Sequence, residues 1–155
     1  MQNRFMARAI ELALENVGSG SGGPFAAVVV KEGRIVAEGT NQVTSRNDPT
    51  AHAEIVAIRE ACRELGSFQL TGCEIYTSCE PCPMCLGAIY WARPARVYFA
   101  ATAADAARFG FDDSFIGGEL RKPPGQRGIP LTQMKGEETL APFVAWEQKP
   151  DKIKY

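Results

Sequence analysis

Four residues in this sequence have the types and spacing to hold a metal ion and move a proton: His52, Glu54, Cys82 and Cys85. They occur as His52-Ala53-Glu54 and, after a gap, as Pro81-Cys82-Pro83-Met84-Cys85. One imidazole and two thiolates are three good zinc ligands. Three protein ligands leave the fourth tetrahedral position to water, the arrangement of a catalytic rather than a closed structural site. Zn2+ in such a site lowers the pKa of water and supplies a nucleophile near neutral pH. Glu54, beside the ligands but outside the set, is the carboxyl that can accept the water's proton and deliver it to a leaving group. This combination points to hydrolytic deamination at an amidine-like carbon.

Other readings of the same residues compete. Cys79 lies three residues before Cys82, so Cys79, Cys82, Cys85 and His52 could close a structural Cys3His site. An iron–sulfur reading of the C-x2-C-x2-C run fails, because position 89 is Ile where a fourth cysteine would be needed. Cys62 and Cys73 read as core or near-surface thiols. His52 and Glu54 are two residues apart, a spacing that separates side chains on a helix. They converge only if the metal lies off the helix end, with His52 reaching along the axis.

The elements that must position these residues follow from the pattern. Met6, Ala9, Ile10, Ala13, Leu14 and Val17 recur at helical spacing, and Gly18 stops the run. After the flexible bend at 18–23, Phe25 to Val30 reads as a strand that returns as a hairpin through Ile35 to Gly39. Asp48 as cap and Pro49 at the first helical position predict a helix there, with Ile55, Ile58, Cys62 and Leu65 as its apolar stripe and Gly66 at its end. Cys73 to Ser78 is β-prone. Glu80-Pro81-Cys82-Pro83 opens a helix running to about Trp91. Both halves of the metal motif thus fall at predicted helix N-termini, where the macrodipole favours thiolates. A strand over Arg96 to Ala101, a short helix over Ala103 to Phe109, a surface loop from Lys122 to Gly128, an edge strand over Ile129 to Met134 and a last helix over Glu138 to Glu147 complete the order α-β-β-α-β-α-β-α, a sheet covered by helices on both faces.

At 155 residues, with 45% apolar and 23% charged, the chain is long enough for one domain with a real core, which excludes a disordered or collagen-like chain. The 17 basic and 18 acidic residues leave a net charge of −1, so nothing drives it in bulk toward nucleic acid or an anionic membrane. No apolar run approaches the roughly 18 residues of a membrane span. Met1-Gln2-Asn3-Arg4 does not open a secretory signal, so a cytoplasmic location is expected. In a reducing compartment, five cysteines with three crowded at 79–85 favour metal chemistry over disulfides.

The His-Ala-Glu and Pro-Cys-Pro-Met-Cys blocks resemble the cytidine and deoxycytidylate deaminase superfamily and match the signature of zinc deaminases. Asn47 to Glu54, Tyr76-Thr77-Ser78-Cys79-Glu80-Pro81, Leu86 to Arg93, Gly110 to Ile116 and Lys154-Tyr155 together resemble the small bacterial guanine deaminases, nearly end to end. The resemblance implies a three-layer α/β/α deaminase fold with a mixed five-stranded sheet and a Zn2+ cofactor. It also implies a homodimer in which the C-terminal segment, about 135–155, is exchanged and helps to close the partner's site. By position it assigns a purine base to a pocket in which Asn41 contacts the ring, Phe25 and Trp91 line the walls, and Asp113 and Tyr155 reach the base from the exchanged segment. A flat base needs stacking surfaces and a few fixed polar groups, and a carboxylate such as Asp113 can accept from guanine ring N–H groups.

Three rival functions stand beside this one. A tRNA adenosine deaminase shares the zinc motif, but its usual Gly-Ala-x-Asp-x-Lys-x-Gly-like block is replaced here by Ala100 to Arg108, and the chain lacks a basic excess. Another free base, nucleoside or aminotriazine differs by only a few pocket atoms. A structural-zinc binding module would use Cys79 and turn nothing over.

Overall fold

The computed structural model describes residues 3–155. The described residues divide into two compact units, 3–113 and 114–155.

The N-terminal unit carries helix α1 (Arg4–Gly18), strands β1 (Ala26–Lys31) and β2 (Arg34–Thr40), helices α2 (Val43–Arg46) and α3 (Ala53–Leu65), strand β3 (Cys73–Cys79), helix α4 (Pro83–Ala92), strand β4 (Arg96–Ala101) and helix α5 (Ala103–Arg108). The sheet order is β2-β1-β3-β4. β1 runs antiparallel to both β2 and β3, and β3 runs parallel to β4. β1 is the central hydrophobic strand. Ala26, Val28 and Val30 pack with Ala9, Leu12 and Ala13 of α1 on one face, while Ala27 and Val29 pack with Ala53, Ala57 and Ala61 of α3 and Ile89 and Ala92 of α4 on the other. This strand is covered on both sides, so its sequence is a continuous apolar run rather than an alternation. The three-layer α/β/α expectation holds.

Several expectations need correction. Among the described residues the sheet has four strands, not five: Ile129 to Met134, in the C-terminal unit, forms no strand. Pro130 has no N–H to give a ladder. The buried stripe of α1 is Ala9, Leu12, Ala13 and Asn16, whereas Leu14 and Val17 are exposed. α3 begins at Ala53, not at Pro49. Asp48 is occupied by a tight local turn, its Oδ1 accepting from Thr50 N at 2.8 Å and Thr50 Oγ1 at 2.7 Å.

The C-terminal unit contains helix α6 (Ser114–Arg121), a 3-10 turn (Pro124–Gln126) and helix α7 (Ala141–Gln148). Glu119 organises its first half, accepting from Lys122 Nζ and Gly128 N. Many of its apolar side chains, including Ile129, Met134, Phe143 and Ile153, are exposed. Among the described residues no helix is long and apolar enough to cross a membrane.

Candidate metal centre and active site

Both halves of the motif open helices. His52 is the N-cap of α3, with extended backbone (φ −67°, ψ 155°), and Glu54 lies in the first turn. Because His52 is outside the helical spiral, the two-residue spacing no longer separates it from Glu54. Cys82 is the N-cap of α4, with Pro83 at the first helical position, and its Sγ accepts from Cys85 N at 3.5 Å.

The donor atoms of His52, Cys82 and Cys85 all lie within 4.8 Å of one another. His52 Nδ1 is 3.6 Å from Cys82 Sγ and 3.6 Å from Cys85 Sγ. Nitrogen and sulfur donors of one tetrahedral zinc, at ordinary bond lengths, stand about 3.6 Å apart. The side chains therefore fit zinc in both chemistry and spacing. Among the described residues this is the group that could hold a metal, and Cys79 is not part of it. The Cys79 thiol is directed to Thr102 O at 3.8 Å instead, and burial pushes its pKa up to about 11, so it stays neutral.

The electrostatics follow from crowding and burial. The neighbouring Cys85 side chain brings Cys82 down to about 4, with the His52 imidazole adding to the effect. Cys85 moves the other way, because its neighbour already carries the charge and its own sulfur is buried. Two adjacent thiols thus share one negative charge until a cation joins them. The Cys82 thiolate holds His52 above the ordinary imidazole range. Glu54 is 6% exposed, and its Oε2 accepts from Cys85 Sγ at 3.4 Å. Burial raises its pKa, which suits a carboxyl that must both take and return a proton.

Asn41 follows β2 and is buried. Its Oδ1 accepts from Gly23 N and Val43 N, both at 3.3 Å, which leaves Nδ2 as the donor end of the carboxamide. Phe25, half-buried, meets Phe111 edge-on with ring centroids 4.9 Å apart at 88°. Phe111 was not singled out by sequence reasoning; the signal available was its place in the Gly110–Ile116 block. Asp113 lies in the same unit as the metal group. Burial, and after it the Cys82 thiolate, raise its pKa. Trp91 is exposed near the far end of α4, six residues and about 9 Å of helix rise beyond Cys85. Tyr155 lies in the C-terminal unit, its ring exposed.

A three-layer sheet-and-helix fold with a His/Cys/Cys group and an adjacent unligated acid defines a zinc-dependent deaminase. Residues 1–101 match the model of the cytidine and deoxycytidylate deaminase zinc-binding region, and the chain belongs to that family. It is 59% identical to the guanine deaminase of Bacillus subtilis over 151 residues, 97% of each chain. The crystal structure of guanine deaminase from Bacillus subtilis superposes with a TM-score of 0.97 at 58% identity, covering 100% of this chain and 99% of that one. A guanine deaminase structure from Nitrosomonas europaea matches at 36% identity and a TM-score of 0.67, covering 74% and 69%. The tRNA-specific adenosine deaminase of Aquifex aeolicus is 49% identical, but over 78 residues, half of this chain and 52% of its own.

Proposed function

We propose that this protein hydrolyses guanine to xanthine and ammonia, with His52, Cys82 and Cys85 as the zinc ligands. The observation that carries the reaction class is the buried Glu54 carboxyl, 3.4 Å from the sulfur of Cys85 and outside the ligand set. The choice of guanine is supported by a relative that is 59% identical along 97% of the chain, against the tRNA-specific adenosine deaminases of Aquifex aeolicus, 49% identical over half of it, and Haemophilus influenzae, 38% identical over 72%.

When bound, zinc acts as a Lewis acid that makes water nucleophilic near neutral pH. The residues of the chain do the rest. Water adds to C2 of the purine, and Glu54 accepts its proton. Glu54 then returns a proton to the exocyclic amine, the C2–N bond breaks, and ammonia leaves. Asn41 Nδ2 donates to the ring carbonyl. Asp113 accepts from ring N–H groups, and the Phe25–Phe111 pair forms a wall against the base.

The same proposal includes a homodimer with exchanged C-terminal segments. Leu86, Tyr90 and Trp91 on α4, Phe99 on the edge strand β4, and the apolar side chains of the C-terminal unit are exposed in one copy, a distribution that a second copy would bury. In that assembly Trp91 and Tyr155 line the pocket that two copies close together. A cytoplasmic setting accords with five cysteines, none of them in a disulfide.

The test is ammonia release from guanine, guanosine, adenine, cytosine, cytidine, ammeline and tRNA. Turnover of guanine with none on tRNA is expected. Turnover of tRNA with none on free guanine would overturn the reading.

A further inference from the structure

Asn16 is a buried polar group that the proposed chemistry leaves unused. It lies on α1, on the stripe otherwise made of Ala9, Leu12 and Ala13, and is 5% exposed. A carboxamide in that position is retained at a desolvation cost unless its donors are matched. Here they are: Nδ2 donates to Gly23 O and to Asn41 O, each at 2.9 Å. Asn41 in turn reaches back, its Oδ1 accepting from Gly23 N. Asn16, Gly23 and Asn41 therefore close a ring of hydrogen bonds around the start of β1 and the end of β2. A Cβ at Gly22 would lie 2.1 Å from Asn41 O, so that carbonyl is confined from the loop side as well.

The bonds that Asn41 Oδ1 makes are long, 3.3 Å each, and are too weak to fix its side chain alone. The bonds from Asn16 are shorter, and with the backbone bonds from Asn41 N to Phe25 O at 3.0 Å and from Phe25 N to Gly23 O at 2.9 Å they join the two segments between which the Asn41 carboxamide hangs. We infer that Asn16 is a positioning residue for substrate binding: it fixes the backbone of Asn41 and Gly23 so that Asn41 Nδ2 is aimed at the carbonyl of the bound purine. This deepens the proposed function and rests on Asn41 touching the base.

The test is a double-mutant cycle in the zinc-loaded protein. Binding of hypoxanthine, which has the ring and carbonyl of guanine but no amine to lose, is measured by calorimetry beside guanine kinetics. Asn16→Ala should raise the Kd for hypoxanthine and the KM for guanine roughly five- to tenfold, as for one lost hydrogen bond. It should leave kcat nearly unchanged and zinc content intact, and the Gly23 amide should exchange faster with deuterium. In an Asn41→Ala background the same change should cost almost nothing further. Losses that simply add in the double variant, or an unaltered Gly23 amide, would overturn the positioning role while leaving Asn41 in contact with the base. An Asn41→Ala protein that binds hypoxanthine normally would overturn the role of Asn41 itself, and the inference with it. Should Asn16→Ala not fold, Asn16→Ser keeps one donor and is judged by the same coupling, with a smaller loss expected.

Discussion

Gly39 sets the distance between the sheet and the helix that carries half of the metal site. It lies in β2, and a Cβ built on it would meet Ala53 O and Ala57 N, each at 2.4 Å, and Ala57 Cα at 2.9 Å. All three atoms are backbone, so no rotamer change relieves the contact. Ordinary separations begin near 3.5 Å, and Gly39→Ala therefore forces α3 away from β2 by about 1 Å. At a glycine whose backbone suits any residue, alanine would normally stabilise by about 0.4–1 kcal/mol. Here overpacking should instead destabilise by about 1–3 kcal/mol. The retreat moves His52 and Glu54 together, stretching the 3.6 Å nitrogen–sulfur separations that one zinc ion can span. A displacement of this size lowers turnover by about 100-fold where reacting groups must align. Urea unfolding of the metal-chelated protein isolates the steric term, and competition with a chromophoric chelator gives zinc affinity. A Gly39→Ala protein as stable as the unsubstituted one, with equal zinc affinity, would refute this account of how the site is seated.

Other substitutions separate the roles assigned at the site. Glu54→Gln preserves shape but cannot carry the proton, so zinc content should persist while guanine turnover falls by about 100-fold or more; unchanged turnover by steady-state assay would remove Glu54 from the chemistry. Cys79→Ala should keep both zinc and activity, since its sulfur faces Thr102 O rather than the metal group; loss of zinc by elemental analysis would revive a four-ligand site. In chelated protein at pH 8, Cys82, near 4, should be alkylated long before Cys79, near 11, because only a thiol above its pKa is a nucleophile; mass mapping of equal labelling would contradict those environments. If C-terminal segments are exchanged, Glu54→Gln chains refolded together with chains lacking 150–155 should recover about a quarter of full activity, each mixed dimer holding one intact site; no recovery would argue against exchange.

The metal group was legible in the sequence because each half is local. Cys82, Pro83 and Cys85 specify an N-cap, a first turn and two donors within four residues, and the structure builds them that way. The hairpin and the continuous apolar run of β1 were legible for the same reason. What escaped depends on which of several competing partners a residue takes. Asp48 and Pro49 read as a helix start, yet the Asp48 carboxylate is taken by Thr50, and the chain enters α3 only at Ala53. Leu14 and Val17 fit a helical repeat as well as Leu12 and Asn16 do; which stripe turns inward was decided by β1 and by two carbonyls, at Gly23 and Asn41, that only an amide could satisfy. Ile129 to Met134 reads as an edge strand, but residue types in one segment do not say which sheet edge, if any, stands ready to pair.

The spacing of His52 and Glu54 joins these points. On a helix, residues two apart diverge, and in a strand they align; neither state alone gives a ligand and an acid that sit beside one ion without both binding it. The chain solves this by changing state between them. His52 is extended and Glu54 helical, so the imidazole reaches off the end of α3 while the carboxyl stays on its first turn, against the sulfur of Cys85. A single intervening residue, Ala53, makes the coupling stiff, and its carbonyl is one of the atoms that Gly39 leaves room for. Ligand and acid must therefore move together or not at all. A substitution that shifts α3 should lower zinc affinity and turnover in parallel, whereas one confined to the Glu54 carboxyl should lower turnover alone.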